Sequence, residues 1–377
     1  MEKILKKIFV ILFFVMLLIP SMFVNIKDGV ISEAENRVLA AKPKLYNENG
    51  GLNGQFFSDF DTWLKDNVGL RNEMVKLEAD IQYNLFKNLP DDQYRLSENG
   101  ELNWFGEQVL ENYEHTNLYS DEDLNKILQS FETVNLFCEN NGVQFYYMQC
   151  WDKQSIYPEY FPKTINQYGD VSACDQVVNG LQDKTNVNQI NLKSKLISEK
   201  DNYEVYSKLG DPTHWTPRGA YIGYVQLMDT INEHTDEQYK VLKDEDFNIS
   251  IADIGQTVSG TIHFENKSEI FSLKEANSYS TPEKFNEQSD EFRSVYLTND
   301  KCGNDKKILI LGDSYIHAFI LSDISQSFHE TILLWKWNIS DIEELIEEYH
   351  PDIILYEQAE REQDFNPIIA AADSCGK

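Results

Sequence analysis

The sequence is poor in basic residues. Its 377 residues include 33 Lys and Arg but 63 Asp and Glu, which gives a formal net charge of -30. A chain of that sign lacks the broad cationic surface that phosphate backbones require, so we expect no nucleic acid as a partner. Its 41% hydrophobic and 12% aromatic residues are enough to build a substantial core, which excludes a disordered chain.

Cysteine is scarce, and motifs for metals and nucleotides are missing. The five cysteines have no CxxC spacing, and their odd number leaves at least one thiol free or paired outside the chain. We expect Cys138 and Cys150 to be buried free thiols, although a bridge between them stays open. Because no HExxH, P-loop or GxGxxG spacing occurs, we expect no metal ion and no cofactor.

The N-terminus holds the long apolar run of the chain. Three lysines precede 17 residues from Ile8 to Val24 that are broken only by a Pro-Ser pair. The nearest small-residue cleavage site, Ser32-Glu33-Ala34, lies well past this run, so we predict an uncleaved signal anchor over residues 1–26. The alternative is a cleaved signal peptide. The lysines hold the N-terminus in the cytoplasm, which predicts a single-pass membrane protein whose remaining chain is extracytoplasmic.

A connector and helical region is predicted over residues 27–104. Apolar residues from Phe56 to Leu64 recur at helical spacing, and those from Met74 to Leu85 continue in a second helix. We predict that these side chains form core rather than a ligand platform. The region ends in a hairpin turn at Asn99-Gly100.

From residue 105 to residue 377, helical and strand patterns alternate. Short apolar strands are predicted at Val143–Met148, Val187–Leu192, Lys306–Leu311 and after His350, and helices lie between them. This alternation predicts an α/β fold with a mostly parallel sheet flanked by helices. Residues 236–302 are polar and poor in periodicity, so we predict an insertion there with some strand content.

The third strand runs directly into Gly312-Asp313-Ser314, before a helix predicted from Ile316 to Leu321. This position exposes a serine hydroxyl at the carboxyl edge of the sheet, with backbone N–H groups near any oxyanion formed there. A serine needs a base within hydrogen-bond reach, and that base needs an orienting group. The serine therefore predicts a histidine and an acid elsewhere in the chain.

The segment DPTHW supplies both groups. Asp211, three residues before His214, can fold its carboxylate against the Nδ1–H of the ring and leave Nε2 to accept the serine proton. Thr216 and Pro217 then predict the start of a helix. We predict Ser314 as nucleophile, His214 as base and Asp211 as orienter. The alternative is an Asp-Pro-Thr turn with a surface histidine.

These motifs resemble those of a known superfamily. GDSY and HPDIILYE resemble two blocks of the SGNH (GDSL) hydrolases, and DPTH resembles their Asp-x-x-His block, but here Asp211 and His214 precede Ser314. This rotated order resembles the AlgX/AlgJ group of polysaccharide O-acetyltransferases and the related DHHW proteins. SEAENRVLAAKP, FDTWLKDNVGLRNEMV and WDKQSIYPEYFP are similar to further segments of that group. The resemblance implies an SGNH-hydrolase-like fold with a circularly permuted block order.

The resemblance also implies an activity. It points to a membrane-anchored extracytoplasmic O-acetyltransferase that acetylates hydroxyls of a cell-surface or exported polysaccharide through an acyl-serine. A membrane-bound O-acyltransferase would be the partner that supplies the acetyl group. Two alternatives stay open. One is an SGNH-type carbohydrate esterase that removes acetyl groups, and the other is a noncatalytic surface assembly protein on the same scaffold.

Further side chains are candidates for the substrate site. Where the hydrolases carry an oxyanion-binding asparagine, this chain has EQAER, in which Arg361 could serve the oxyanion or the acceptor sugar and Glu360 could pair with it. Lys153 and Tyr157 follow a strand and could line the same sheet edge, while Trp215 could pack beside the imidazole. The predicted substrate contacts are Arg361, Lys153, Tyr157, Trp215 and Tyr315.

Overall fold

The structure, a computed structural model, describes residues 2–32, 37–47, 49–275, 294–335 and 339–375. The chain divides into two compact units, one of Met1–Tyr94 with Thr257–Phe264 and one of Arg95–Gln256 with Glu265–Lys377. The boundary expected at residue 104 stays a prediction. Most of the predicted cleavage site, Glu33 and Ala34, lies outside the described residues.

Short strands and helices alternate through the described residues. The strands are β1 (Ile31–Ser32), β2 (Arg37–Val38), β3 (Tyr94–Leu96), β4 (Leu102–Trp104), β5 (Gln144–Cys150), β6 (Asn188–Ile190), β7 (Phe247–Asp253), β8 (Thr257–Val258), β9 (Ile262–His263), β10 (Lys267–Leu273), β11 (Val295–Thr298), β12 (Lys307–Gly312), β13 (Glu330–Trp335) and β14 (Ile353–Ala359). The α-helices are α1 (Glu2–Met22), α2 (Phe56–Asn67), α3 (Arg71–Ile81), α4 (Val109–Glu114), α5 (Asp121–Asn140), α6 (Lys153–Ile156), α7 (Ala173–Lys184), α8 (Leu192–Glu199), α9 (Pro217–Glu233), α10 (Ser314–His317), α11 (Leu321–Ile324), α12 (Ile342–Tyr349) and α13 (Asn366–Cys375). All four strands predicted in the α/β region are confirmed.

The first unit begins with an apolar helix. Within α1, the segment Lys3–Met22 is long and apolar enough to cross a membrane, by length and composition. A helix of 20 residues is about 30 Å long, which matches the hydrocarbon thickness of a bilayer.

The apolar stripe of α2 and α3 is not the core that its periodicity predicts. Trp63 is buried, but Phe57 is 84% exposed and Leu64 is 40% exposed. On α3 and the turn after it, Leu77 and Leu85 are exposed too. Helical periodicity places side chains on one face without specifying what covers that face, so the prediction of core was wrong for most of these residues.

The second unit is built on a six-stranded sheet in the order β11-β13-β12-β14-β5-β6. Neighbouring strands from β13 to β6 run parallel, whereas β11 pairs antiparallel with β13 at one edge. The sheet is therefore mixed, with the predicted parallel arrangement in five of its strands. The rotated order of the sequence blocks stays a prediction.

Helices cover both faces of this sheet. Alternate residues of β5, β12 and β14 enter two separate clusters, as expected when successive side chains of a strand point to opposite faces. One cluster includes residues of α8 and α9, and the other includes residues of α5, α7 and α13. This arrangement buries the strands almost completely and leaves their ends as places for polar side chains.

Other expectations had mixed outcomes. The helix predicted from Ile316 to Leu321 is instead two short helices, α10 and α11, with a break between them. The predicted insertion has strand content, from β7 to β11, although residues 276–293 lie outside the described residues. Cys138 and Cys150 are buried and free, which confirms that expectation.

Candidate active site

Three adjacent parallel strands end at the same edge of the sheet. Strand β12 leads into Asp313 and Ser314, β14 leads into Glu360 and Arg361, and β5 leads towards Asp152. The order β12-β14-β5 makes these strands neighbours. Polar residues from distant parts of the sequence are therefore brought to one place, as is usual for sites in α/β folds.

A buried carboxyl pair fixes the turn that carries Ser314. The Asp313 side chain accepts hydrogen bonds from the N–H of Tyr315 and of Ala359, at 2.9 and 3.2 Å. The Asp313 N–H donates to Glu357 Oε2 at 2.8 Å. Burial, with the neighbouring Asp313 carboxylate as the next cause, raises the pKa of Glu357 well above its ordinary value. Gly312 is needed here because a Cβ would lie 2.9 Å from Glu357 Oε2.

The structure brings together the three residues predicted as nucleophile, base and orienter. His214 Nε2 lies 2.7 Å from Ser314 Oγ, and His214 Nδ1 lies 2.8 Å from Asp211 Oδ2. The histidine side chain is 17% exposed, and the Asp211 side chain is 45% exposed. The pair thus lies near the surface, where a substrate can reach the serine hydroxyl.

Local hydrogen bonds fold the loop around Asp211. The second carboxylate oxygen, Oδ1, accepts from the N–H and the hydroxyl of Thr213, at 2.8 and 2.6 Å. Burial alone would raise the pKa of Asp211, but the hydrogen bonds from His214 and Thr213 outweigh it and lower the pKa below its ordinary value. The loop ends at α9, where the Thr216 side chain caps the helix before Pro217, as predicted.

A buried polar cluster holds the backbone of this loop. The carbonyl of Thr213 lies 2.8 Å from Arg361 Nη1 and 2.9 Å from the Tyr315 hydroxyl, so both groups can donate to it. Asp152 Oδ1 lies 2.6 Å from Arg361 Nη1 and 3.0 Å from the Tyr315 hydroxyl. Arg361 Nη1 has two N–H groups and can donate to both acceptors, whereas the single proton of the Tyr315 hydroxyl goes to one of them. Arg361 therefore pairs with Asp152 and not with Glu360, which instead accepts from the Asp152 N–H and the Ser155 hydroxyl.

The other predicted substrate contacts are structural. Lys153 is buried, its Nζ donates to the carbonyl of Leu102 at 2.7 Å, and burial lowers its pKa to about 7. Tyr157 is buried as well, and its hydroxyl accepts from the Val205 N–H at 3.3 Å. Such burial and bonding to the backbone fix neighbouring chain segments and leave no surface for a substrate.

Two further candidates also lie inside the protein. Trp215 is buried and packs edge-on against Tyr315, with ring centroids 5.2 Å apart. The aromatic rings that contact His214 within the described residues are those of Tyr315 and Phe319, at 5.0 and 5.5 Å. Phe319 was not predicted, and neither were Asp152 and Glu357. A polar residue directly after a strand, as in Trp151-Asp152, was the one signal that could have indicated Asp152.

Comparisons with known proteins identify the family of the chain. The family described as the SGNH hydrolase-like domain of the acetyltransferase AlgX matches residues 106–317, more than half of the chain. The matched range includes Asp211, His214 and Ser314. No curated protein matches the sequence significantly.

Several solved structures are similar. PatB1 of Bacillus cereus with a sulfonyl adduct has 18% identity and a TM-score of 0.55, covering 72% of this chain and 96% of its own. A DHHW family protein of Eubacterium siraeum has 15% identity and a TM-score of 0.46, covering 64% and 88%. The O-acetyltransferase domain of Pseudomonas putida AlgJ has 12% identity and a TM-score of 0.44, covering 74% and 99%. The likeness to PatB1 shows a shared fold, and the family match assigns the chain: it belongs to the AlgX family of SGNH hydrolase-like acetyltransferases.

Proposed function

We propose that the protein is a membrane-anchored extracytoplasmic O-acetyltransferase that transfers acetyl groups to hydroxyls of a cell-surface or exported polysaccharide. The observation that carries this proposal is the unbroken contact from Asp211 through His214 to Ser314, in a chain of an acetyltransferase family. A serine hydroxyl 2.7 Å from an imidazole nitrogen has a base in position to take its proton.

The first half of the reaction loads the serine. Ser314 Oγ attacks the carbonyl carbon of the acetyl donor while its proton passes to His214 Nε2, and Asp211 stabilises the imidazolium. Collapse of the tetrahedral intermediate breaks the bond to the leaving group, which takes that proton from His214. The product is an acetyl ester on Ser314. Among the described residues none accepts from the Ser314 N–H, so we assign this group as an oxyanion donor.

The second half transfers the acetyl group. His214 takes the proton of an acceptor hydroxyl, the acceptor oxygen attacks the ester carbonyl, and the proton then returns to Ser314 Oγ as it leaves. Water in place of the sugar hydroxyl gives hydrolysis by the same steps. Transfer therefore requires that the acceptor be bound before water reaches the acetyl ester.

The site is proposed to work close to a membrane. Helix α1 would hold the catalytic unit at the outer face of the membrane, within reach of a donor that arrives through it. The resemblance to the AlgX/AlgJ group supports a membrane-bound O-acyltransferase as that donor. We expect this acyltransferase to co-purify with the full-length chain from native membranes.

The test uses the full-length chain in detergent. We expect p-nitrophenyl acetate to add one acetyl group to the protein, seen by mass spectrometry and absent in Ser314→Ala, and added oligosaccharide to become acetylated. Because the PatB1 structure carries a sulfonyl adduct, a sulfonyl fluoride is the matching inhibitor. Turnover of p-nitrophenyl acetate without any acetylated sugar would mean that the protein is an esterase and not a transferase. No acetyl or sulfonyl adduct at all would leave a noncatalytic assembly protein.

A further inference from the structure

A cavity of about 530 Å³ lies beside the proposed catalytic pair. Phe319 lines it, and the ring of Phe319 is 5.5 Å from the ring of His214. Ala318 lines it too, and its N–H donates to the Ser314 carbonyl at 3.1 Å. Ala318 and Ser322 are exposed, so the cavity opens to the surface one side chain away from the reacting groups. Its volume lies within the roughly 300–1,000 Å³ of small-molecule sites.

A buried carboxyl group lines this cavity without a protein partner. Asp323 is 8% exposed, and among the described residues none donates a hydrogen bond to its carboxylate or forms an ion pair with it. Burial raises the pKa of Asp323 to about 7. A buried carboxyl left unpaired costs free energy, and such groups in native proteins usually have a partner. Because Asp323 faces the cavity, the partner is expected to enter through it.

The rings on the cavity wall narrow the class of ligand. Tyr221 and Phe271 stack at 5.3 Å, and the Arg218 guanidinium already lies over both rings, at 5.5 and 4.5 Å. Arg218 therefore already provides a cation to both of these rings. A half-buried ring such as Phe319 together with a hydrogen-bond acceptor suits a neutral ligand with an apolar face and several hydroxyl groups. A sugar ring has both features, since its C–H face packs on aromatic rings and its hydroxyls donate to carboxylates.

We propose that this cavity binds a sugar ring of the acceptor, with Asp323 accepting hydrogen bonds from its hydroxyls and Phe319 against its apolar face. The inference rests on the proposed function and names where the acceptor lies. A chain held there would present a neighbouring hydroxyl to the acetyl ester on Ser314. It would also displace water beside His214, which the transfer step requires.

The test measures binding apart from catalysis. Full-length Ser314→Ala, which cannot carry the acetyl group, is titrated calorimetrically with cellotetraose and with tetra-N-acetylchitotetraose. We expect at least one of these neutral sugars to bind. In the same background, Asp323→Ala should weaken that binding at least tenfold, and Asp323→Asn less, because the amide keeps one acceptor oxygen. Phe319→Leu provides a second variant that leaves the buried carboxyl intact, and it should weaken binding as well.

The control is Asp229→Asn, an exposed carboxylate on α9 that lies outside the cavity lining, and it should leave the affinity unchanged. Equal binding by the parent, Asp323→Ala and Phe319→Leu would overturn the inference, and so would no binding of either neutral sugar. Tighter, Asp323-dependent binding of a glucosamine tetramer would replace the neutral ligand by a cationic one. Binding without acetyl transfer would remove the proposed function and keep this site. Acetyl transfer with an unchanged acceptor KM in Asp323→Ala would keep the proposed function and remove this site.

Discussion

Ser314 follows a strand in which every residue from Ile308 to Gly312 is buried. His214, in contrast, belongs to a loop between the isolated β-bridge at Gly210 and helix α9. Backbone hydrogen bonds from β12 to β13 and β14 fix the position of Ser314, and we call β12 with Ser314 the strand side of the site and the loop that carries His214 the loop side. The loop side has no such ladder, and side chains replace it: Asp211 folds the loop from within, while Arg361 and Tyr315 hold the Thr213 carbonyl from outside.

The difference shows how a precise pair of reacting groups can be built from unequal parts. The position of Ser314 depends on the sheet, so the packing around β12 limits which substitutions that strand accepts. The loop side depends on a few buried hydrogen bonds, so single substitutions can move His214 without unfolding the protein. An error of about 1 Å in such a position can cost about 100-fold in rate.

The largest effect is expected on the strand side, from the reacting atom itself. Ser314→Ala should lower acetyl transfer by about 10⁴-fold or more, because no later step can proceed without the acetyl ester. The measurement is turnover of p-nitrophenyl acetate, with the thermal unfolding temperature as control. A variant that keeps a tenth of the activity would show that the serine is not the nucleophile.

A slightly smaller effect is expected within the loop. Asp211→Asn should lower kcat by roughly 10² to 10⁴-fold, because an amide no longer favours the tautomer that leaves Nε2 free to accept a proton. KM should change little. An unchanged kcat would mean that Thr213 and the ring packing orient His214 without the carboxylate.

The same variant gives a prediction for pH. The folded-state pKa of Asp211 is lowered, so its ionised form contributes stability that is present above the unfolded pKa of about 4 and is lost as the pH falls through the folded pKa. The difference in unfolding free energy between wild type and Asp211→Asn should therefore be constant above about pH 5 and shrink in acid. A difference that grows in acid would contradict the assigned direction.

Removing the outer support of the loop should have an intermediate effect. Arg361→Leu takes one donor from the Thr213 carbonyl and leaves Asp152 buried without its cation, so we expect a loss of about 3 kcal/mol in stability and of roughly 10- to 100-fold in kcat. Arg361→Lys should recover part of both losses. The control is Arg95→Leu, an exposed arginine of the same unit. Equal losses of kcat and stability in Arg361→Leu and Arg95→Leu would show that Arg361 does not support the loop that carries His214.

The smallest effect on turnover is expected from the packing of the strand side. In Gly312→Ala the new Cβ would push Glu357 away from the Asp313 N–H, at a cost of about 1–3 kcal/mol. Gly54→Ala is the matched control, since its Cβ would have no atom within 4 Å. Denaturant unfolding measures both. A large loss of kcat without loss of stability would show that a single substitution can move Ser314 without unfolding the protein, as we expect for His214.

The contact of Asp211, His214 and Ser314 could be predicted because the sequence signals that mark these residues are local. Asp211 and His214 are three residues apart, and Ser314 follows an apolar strand directly. The cluster around the Thr213 carbonyl could not be predicted, because Asp152, Tyr315 and Arg361 come from three separate segments that only the strand order brings together. A sequence indicates the residue type at each position and leaves its partner open, so the sequence could suggest only the neighbouring Glu360 as a possible partner of Arg361.

The prediction that the apolar residues of α2 form core was wrong for a related reason. The period of Phe56, Phe57, Phe60 and Leu64 correctly predicts a helix, but burial depends on what packs against it. In the α/β region the same kind of pattern was reliable, since strands covered on both faces leave each apolar side chain an evident neighbour.

The buried sulfur atoms bear on how the protein can be made. Cys138, Cys150 and Cys174 are enclosed by the sheet and its helices, and burial raises the pKa of Cys138 to about 12, which suppresses the reactive thiolate. All five cysteines are free, so the folded structure contains no disulfide that an oxidant would have to form. We expect the chain to acquire its native shape equally well in a reducing compartment and after export into an oxidising one.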